Sequence, residues 1–394
     1  MESSAYASRS QRIRHFLANA IVFTLCYNAS NELAVQKQIT RNVAIGPDTS
    51  IPFLEWMIVP YLCSGLFFAG SFLFVTSLDN LRVLSQRLLL ATVIASLVFV
   101  FYPLRFSLIR PAIESPIFAN LFAMLSIFDR PHNQLPSLHV AYCVIFWQSL
   151  KTAPKSIAVK LLLGASLLLV GVATVFTYQH HLLDIVAGLA LAGLCIALIK
   201  PNQKQVAVAF YYLVMATTVF VVGAIVMHSW LAIYFVGSLL LIAYAYKTQH
   251  RNFLHKRTGS HPWLVKIAYA PYLLGYRFTW LLVQYRERHS PAFTQFSPQL
   301  WVGRRLTTHQ ANQLPDRLSI IDLSPELSET ACLRLGNYQH FALLDLVPAH
   351  GAAIAEIVQA IHKEITRGQN VYLHCAMGYQ RCLTIAQQAT SKTP

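Results

Sequence analysis

The chain has 394 residues, of which 55% are hydrophobic and only 12% are charged. Soluble proteins usually carry about 25% charged residues, and so few charges cannot cover a water-facing surface. The composition therefore excludes an ordinary soluble protein and indicates that lipid covers much of the chain. The 31 Lys and Arg exceed the 16 Asp and Glu, leaving a net charge of +15. Most of this excess lies in short loops between apolar runs, which is typical of membrane topology rather than of nucleic-acid binding.

The apolar runs predict a multi-pass helical membrane bundle of about eight spans. The runs lie at residues 16–29, 56–77, 88–104, 138–150, 159–177, 183–199, 206–227 and 230–246. Basic residues such as Arg9, Lys155 and Lys204 concentrate in the loops of one side. The positive-inside rule therefore predicts that the N-terminus and the C-terminal domain are cytoplasmic, at a bacterial inner (plasma) membrane.

After the last run the chain changes character. The aromatic stretch 263–285 contains Lys266 and Arg277, and a further span would bury both cations, so we expect an amphipathic or re-entrant interfacial segment. From residue 293 short apolar strands alternate with helical stretches, which predicts a small α/β domain. The predicted order is an N-terminal span and loop (1–50), a membrane core (51–204), two further spans (205–246), a basic linker (247–292) and the α/β domain (293–394).

Polar residues that could carry phosphorus chemistry lie at span ends expected to face away from the cytoplasm. His180 and Asp184 are four residues apart, so on a helix the carboxylate can orient the imidazole and make it a nucleophile toward phosphorus. His139, at the start of another span, can protonate a leaving alkoxide. His181 is expected to be only an interfacial polar residue. The predicted phosphate-binding residues are Arg110, Ser137 and either Arg105 or Arg130.

This membrane segment resembles the type 2 phosphatidic acid phosphatase superfamily over about residues 50–200, and within it the inositol-phosphorylceramide-synthase-like branch. The resemblance implies a six-helix core without cofactor or metal. It also implies that His180 forms a phosphohistidine, that Asp184 orients it and that His139 is the general acid. The matching motifs are Arg110-Pro111, Pro136-Ser137-Leu138-His139 and the His180/Asp184 pair.

Two departures from that family keep a second reaction open. Pro103 stands where the family has a lysine, and Ala173-Thr174 stand where it has Ser-Arg. Two phosphate-binding cations are therefore absent from these positions. Phosphodiester transfer between lipids remains an alternative to monoester hydrolysis.

A second phosphate site is predicted near the C-terminus. An apolar strand at 371–373 precedes Cys375, and Arg381 follows six residues later, where a helix is expected. Such a loop can cradle a phosphate dianion with its backbone N–H groups, while Arg381 clamps the oxygens. The same positive field favours a Cys375 thiolate nucleophile. Gly378 gives the loop its conformational freedom, and Asp345 is predicted to be the general acid.

Residues 293–394 resemble the dual-specificity branch of the cysteine (protein tyrosine) phosphatases. The resemblance implies a phosphocysteine intermediate and a phosphomonoester substrate, either a lipid headgroup such as a phosphoinositide or a phosphoprotein. Cys382 replaces the family's Ser or Thr after the arginine, and a reversible disulfide with Cys375 is a hypothesis from spacing. The family continues well beyond the equivalent of residue 394, so a C-terminal truncation is expected. Further matches are Trp301-Val302-Gly303, a helix with Ala311 and Leu314, and the strand 320–323.

Three functions follow from these patterns. The first is a membrane phosphatase for lipid phosphates joined to a cytoplasmic cysteine phosphatase. The second is a lipid phosphotransferase with an inactive phosphate-binding C-terminal domain, and the third is a non-enzymatic membrane scaffold. The expected partners are the membrane and a phospholipid or lipid phosphate, and neither nucleic acid nor a cofactor is expected.

Overall fold

The computed structural model describes residues 6–151, 153, 156–201, 207–315, 317–349 and 351–391. Lys155 and Lys204, which support the predicted topology, lie outside these residues. The chain divides into two compact units. The first comprises Met1–Lys204 and Val214–Ile233, and the second comprises Gln205–Leu213 and Tyr234–Pro394.

The N-terminal two thirds of the chain are helical. The helices are α1 (Arg9–Gln36), α2 (Ile58–Phe74), α3 (Leu78–Phe101), α4 (Pro116–Phe128), α5 (Leu138–Leu150), α6 (Ile157–Phe176), α7 (Leu182–Leu198), α8 (Ala207–Val219) and α9 (Trp230–Lys247). Among the described residues, four helical segments are long and apolar enough to cross a membrane: Glu55–Phe74, Leu78–Phe101, Ile157–Phe176 and Trp230–Lys247. The predicted integral membrane character is thus supported by four apolar helices.

The other predicted spans correspond to different kinds of helix. The runs at 138–150, 183–199 and 206–227 coincide with shorter apolar helices, and the run at 16–29 lies inside the 28-residue α1. One element was missed. Residues 105–137, between the predicted spans at 88–104 and 138–150, were expected to form a loop, but the structure contains the 13-residue apolar helix α4 within this segment. With 13 residues, α4 is as long as the predicted span at 138–150, so its length does not explain why it was missed.

Close packing of α5 against α7 positions the predicted histidine site. A Cβ added to Gly188 of α7 would lie 2.6 Å from the carbonyl oxygen of Ser137, so only glycine allows this approach. The backbone N–H of Ser137 also donates to the carbonyl oxygen of Asp184 at 3.0 Å. The N-terminal ends of α5 and α7, which carry His139 and Asp184, are therefore held side by side.

The second unit contains the linker helices and a small five-stranded mixed sheet. Its helices are α10 (Trp263–Ala268), α11 (Ala270–Arg286), α12 (Thr308–Ala311), α13 (Ala331–Arg334), α14 (Gly351–Thr366) and α15 (Arg381–Ser391). Its strands are β1 (Phe293–Ser297), β2 (Leu300–Arg304), β3 (Leu318–Asp322), β4 (Asn337–His340) and β5 (Asn370–Cys375). The order is β1-β2-β5-β3-β4, and only β1 is antiparallel to its neighbour. The helix predicted to include Leu314 ends at Ala311, although Leu314 still packs beneath the sheet.

Both faces of the central strand β5 are buried, as expected for parallel strands. Val371 and Leu373 pack with α14 and α15, whereas Tyr372 packs on the opposite face with Leu306 and Ile320. Cys375 therefore lies at the carboxyl end of the central strand. Ligands of open α/β sheets usually bind at this edge.

Candidate functional site

The structure brings the three predicted catalytic residues of the membrane segment together. His180 Nδ1 lies 3.3 Å from Asp184 Oδ2, and the Asp184 side chain is fully buried. The same carboxylate oxygen accepts the backbone N–H of His181 at 2.9 Å, which fixes its direction. The His139 and His180 ring centroids are 5.9 Å apart. An oriented imidazole beside a second imidazole can support nucleophilic attack and proton transfer.

The predicted arginines line a different cavity from the histidines. His139 and His180 border a cavity of about 210 Å³ whose other walls are mostly apolar. Arg105 and Arg110 border a cavity of about 470 Å³. Gln179, the neighbour of His180, lines this larger cavity. The histidines and the arginines expected to form one phosphate site therefore line different cavities.

A partly buried polar cluster that was not predicted from the sequence lies between these cavities. Asp129 lines the larger cavity and accepts hydrogen bonds from the hydroxyls of Tyr27 (2.6 Å) and Tyr61 (2.7 Å). Tyr27 lines the smaller cavity, and the Tyr61 ring lies 4.5 Å from the His139 ring. Asp129 could have been noticed as an acid at the end of an apolar run, where an idle carboxylate is costly. Its partners are too distant in sequence to predict.

Three other predicted polar residues have structural partners. The Ser137 hydroxyl caps α5 by accepting the Val140 N–H at 3.5 Å, and the side chain is buried. Arg130 is exposed and pairs with Glu32 at 2.8 Å, so Arg105 is the better second cation for a phosphate. The ring of His181, the neighbour of His180, stacks on the ring of Phe106, with the two centroids 4.3 Å apart. His181 is therefore a packing residue, and it is more buried than an interfacial polar residue would be.

The C-terminal motif forms a strand, a tight loop and a helix. Cys375 ends β5 and Arg381 begins α15. Gly378 has φ +77°, and a Cβ there would lie 2.8 Å from the backbone nitrogen of Arg304. The loop therefore requires glycine at this position for both its conformation and its close approach to β2.

The surroundings of Cys375 favour the thiolate. A hydrogen bond from Cys382, whose sulfur lies 3.5 Å away, is the largest influence, while burial opposes ionisation. The Arg381 charge and the backbone N–H groups of Cys382 and Gly378 also favour the thiolate. Together with the Cys382 hydrogen bond, they lower the Cys375 pKa to about 5. A thiolate is the reactive form of a cysteine nucleophile.

Arg381 is held in place by acidic and carbonyl partners. Its Nη1 atom donates to Glu326 at 3.0 and 3.1 Å and to the Leu343 carbonyl at 2.7 Å, while Nε lies 3.5 Å from Asp345. Burial disfavours the charge, but Glu326 and the Cys375 thiolate outweigh it and raise the Arg381 pKa. None of these contacts uses Nη2. Glu326 was not predicted, because nothing in its loop distinguishes it from an ordinary surface acid.

The predicted general acid Asp345 lies beside Arg381 and has a partner in the linker. The Tyr276 hydroxyl of α11 donates to Asp345 Oδ2 at 2.9 Å. Trp280, one turn later, packs with Ala376 of the cysteine loop. The linker helix α11 thus forms part of the wall of the cysteine site, although the linker and the α/β domain were predicted as separate segments.

A buried ionic network supports the loop from behind. His374 Nε2 lies 2.8 Å from Glu329 and 3.9 Å from Asp322. Burial disfavours the His374 cation, but these two carboxylates raise its pKa. His374, Asp322 and Glu329 are close enough to hold a metal ion, yet the Lys256 ammonium already contacts Asp322. The network is therefore interpreted as ion pairing that fixes the end of β5.

Comparisons with known proteins add no family to these observations. A scan against models of protein families, a search of curated proteins and a search of solved structures each found no match.

Proposed function

We propose that this protein is a membrane phosphatase with two phosphoryl-transfer centres, one based on Cys375 and one based on His180. The observation that carries the proposal is the cysteine loop. Its nucleophile has a pKa near 5 and lies one tight loop away from an oriented arginine. This combination suits attack on a phosphomonoester dianion near neutral pH.

The reaction at Cys375 follows from the positions of its neighbours. The Cys375 sulfur attacks phosphorus and the bond to the ester oxygen breaks, while Asp345 supplies the proton that the leaving oxygen needs. Arg381 Nη2 and the loop N–H groups hold the phosphoryl oxygens as charge shifts onto them. Water then attacks the phosphocysteine and releases inorganic phosphate, with Asp345 taking the proton back. The hydrogen bond from Cys382 to the sulfur makes the thiolate a better leaving group in this second step.

The His180 centre is proposed to act on a lipid phosphate within a six-helix core. Support comes from the buried His180–Asp184 pair and from the proximity of His139, which can protonate the leaving alcohol. The larger cavity with Arg105 and Arg110 suits an anionic headgroup, and the smaller cavity suits an apolar chain. A lipid alcohol in place of water at the phosphohistidine would give the transferase alternative.

The test uses the full chain in detergent with two substrates, 4-nitrophenyl phosphate and phosphatidic acid. We expect Cys375→Ser to abolish hydrolysis of the soluble ester and His180→Ala to leave it unchanged. We expect His180→Ala to reduce total phosphatidic acid turnover. Loss of activity only with His180→Ala would favour an inactive phosphate-binding C-terminal domain. Activity that neither substitution reduces would favour the scaffold.

A further inference from the structure

The linker helix α11 has two faces of different character. Leu274, Phe278, Leu281 and Tyr285 follow one another at intervals of four, three and four residues, so they form one stripe along the helix. Their exposed fractions are 63%, 62%, 51% and 70%. The short helix α10 continues this apolar surface with Trp263, Leu264 and Ile267, which are also exposed. Exposed large hydrophobic residues at helical spacing mark a surface that binds something apolar.

The opposite face of α11 packs against the cysteine site. Tyr276 donates to Asp345, and Trp280 is buried against Ala376 of the loop. The Trp280 indole N–H also donates to the Arg305 carbonyl at 2.9 Å. The apolar stripe and the catalytic loop therefore lie on two sides of a single helix, only one helix diameter apart.

Tyrosine side chains connect these helices to α9, one of the four helices among the described residues that are able to cross a membrane. The Tyr234 hydroxyl of α9 donates to the Ile267 carbonyl of α10 at 2.6 Å. Near the other end of α9, the Tyr246 and Tyr272 hydroxyls are 3.1 Å apart. The Tyr272 ring in turn lies 4.8 Å from the Tyr276 ring. A continuous series of tyrosines thus joins a candidate span to the predicted general acid.

The charges around the stripe suit an anionic lipid surface. Lys266, Arg277 and Arg288 are exposed on or beside these helices, and the Arg288 guanidinium lies 4.7 Å from the Tyr285 ring centroid. Apolar side chains flanked by exposed cations are characteristic of helices that lie in a membrane interface.

We propose that the lipid bilayer covers the α10–α11 face, and that Cys375 therefore acts on the phosphomonoester headgroup of a lipid held in that bilayer. The inference rests on the proposed function of the cysteine centre and specifies its substrate class. If α9 crosses the bilayer, then α10, which contacts α9 near its first turn, lies within the bilayer, and α11 leaves it near Tyr272, beside the last turn of α9. The cysteine loop then faces headgroups rather than bulk cytoplasm. A soluble phosphopeptide would gain nothing from this arrangement.

The experiment uses the full-length His180→Ala protein in phosphatidylcholine proteoliposomes, so that only the cysteine centre is active. The three probes are phosphatidic acid in the same vesicles, 4-nitrophenyl phosphate and a soluble phosphotyrosine peptide. A Leu274→Glu/Phe278→Glu variant should lower kcat/KM for phosphatidic acid by about tenfold or more, because it places two charges in the lipid-facing stripe. The rate with 4-nitrophenyl phosphate should not change. Leu335→Glu, at a site 90% exposed in the same unit, is the matched control and should alter neither rate.

Two results would overturn the inference. One is a peptide rate that exceeds the lipid rate, and the other is a lipid rate that the stripe variant does not reduce. Phe278→Leu keeps the surface apolar, so this variant should retain lipid turnover. A loss equal to that of the Leu274→Glu/Phe278→Glu variant would show that Phe278 acts through packing alone, and this too would contradict the inference. In all these cases hydrolysis of 4-nitrophenyl phosphate would still support the proposed function. That function itself fails if this soluble activity does not depend on Cys375.

Discussion

The sulfur atoms of Cys375 and Cys382 lie 3.5 Å apart in the core of the α/β domain. Neither forms a disulfide in the structure, and both side chains are buried. Cys382 lies in the first turn of the helix that follows the loop, at the position where the resemblance to the cysteine phosphatases implies a hydroxyl. The pair can therefore influence both the reactivity of Cys375 and its response to oxidants.

We predict that mild hydrogen peroxide converts this pair to a disulfide. The two thiols lose two protons and two electrons, and the peroxide is reduced to water. Activity on 4-nitrophenyl phosphate should fall and return on addition of dithiothreitol. Without Cys382, oxidised Cys375 cannot form this disulfide and can oxidise further. In Cys382→Ser, dithiothreitol should therefore restore much less of the lost activity. Mass spectrometry of the oxidised protein should find the linked peptides, and their absence after full inactivation would contradict the prediction.

The pH dependence of Cys375 should depend on Cys382. Because the Cys375 pKa is about 5, the thiolate forms as pH rises through 5 and is fully present at pH 7. In Cys382→Ala the hydrogen bond to the thiolate is lost, which favours the protonated form and moves the midpoint to higher pH. Alkylation by iodoacetamide at pH 6 should then slow by roughly tenfold. An unchanged alkylation profile would show that Cys382 does not tune the nucleophile.

Gly378→Ala should inactivate the cysteine centre without unfolding the protein. Alanine at φ +77° is strained by about 1 to 2 kcal/mol, and its Cβ would displace β2 or the loop. We expect kcat/KM for the soluble ester to fall by about a hundredfold, since misplacing the phosphate-binding groups by 1 Å has effects of that order. Gly336→Ala is the control, because a Cβ there has no heavy atom within 4 Å. Equal activities of the two variants would be inconsistent with the loop geometry.

Adjacent histidines should have different roles in the membrane segment. His180→Ala should remove phosphatidic acid turnover measured in a Cys375→Ser background. His181→Ala should retain most of it while lowering thermal stability, because His181 packs on Phe106 and lies 3.6 Å from the buried Asp48. A thermal-shift assay and a phosphate-release assay on the same preparations separate these effects. Loss of turnover with both variants at equal stability would refute the assignment of His180 as the nucleophile.

Local sequence patterns predicted the parts of the sites that are local in the chain. The loop from Cys375 to Arg381 and the His180/Asp184 pair are formed within seven residues each, so spacing alone defines their geometry. Composition likewise predicted apolar helices followed by an α/β domain. By contrast, the apolar residues of α4 were taken for part of a loop, although α4 is as long as the predicted span at 138–150.

The partners of these residues could not be predicted, because they come from distant parts of the chain. Tyr276 and Asp345 are 69 residues apart, Glu326 and Arg381 are 55 apart, and Tyr27 and Asp129 are 102 apart. A single sequence contains no period or motif that pairs such positions. The separation of Arg110 from the His180 cavity likewise depends on how several helices pack.

The most direct measurement is identification of the phosphoenzyme. The wild-type chain and the Cys375→Ser and His180→Ala variants would be mixed with 4-nitrophenyl phosphate or phosphatidic acid, quenched within one turnover and analysed by mass spectrometry under conditions that preserve labile phosphate. We predict phosphate on Cys375 with the soluble ester, and phosphate on both His180 and Cys375 with the lipid. The Cys375 label should be absent in Cys375→Ser, and the His180 label should be absent in His180→Ala. Turnover of either substrate without a phosphorylated intermediate at these residues would contradict this prediction.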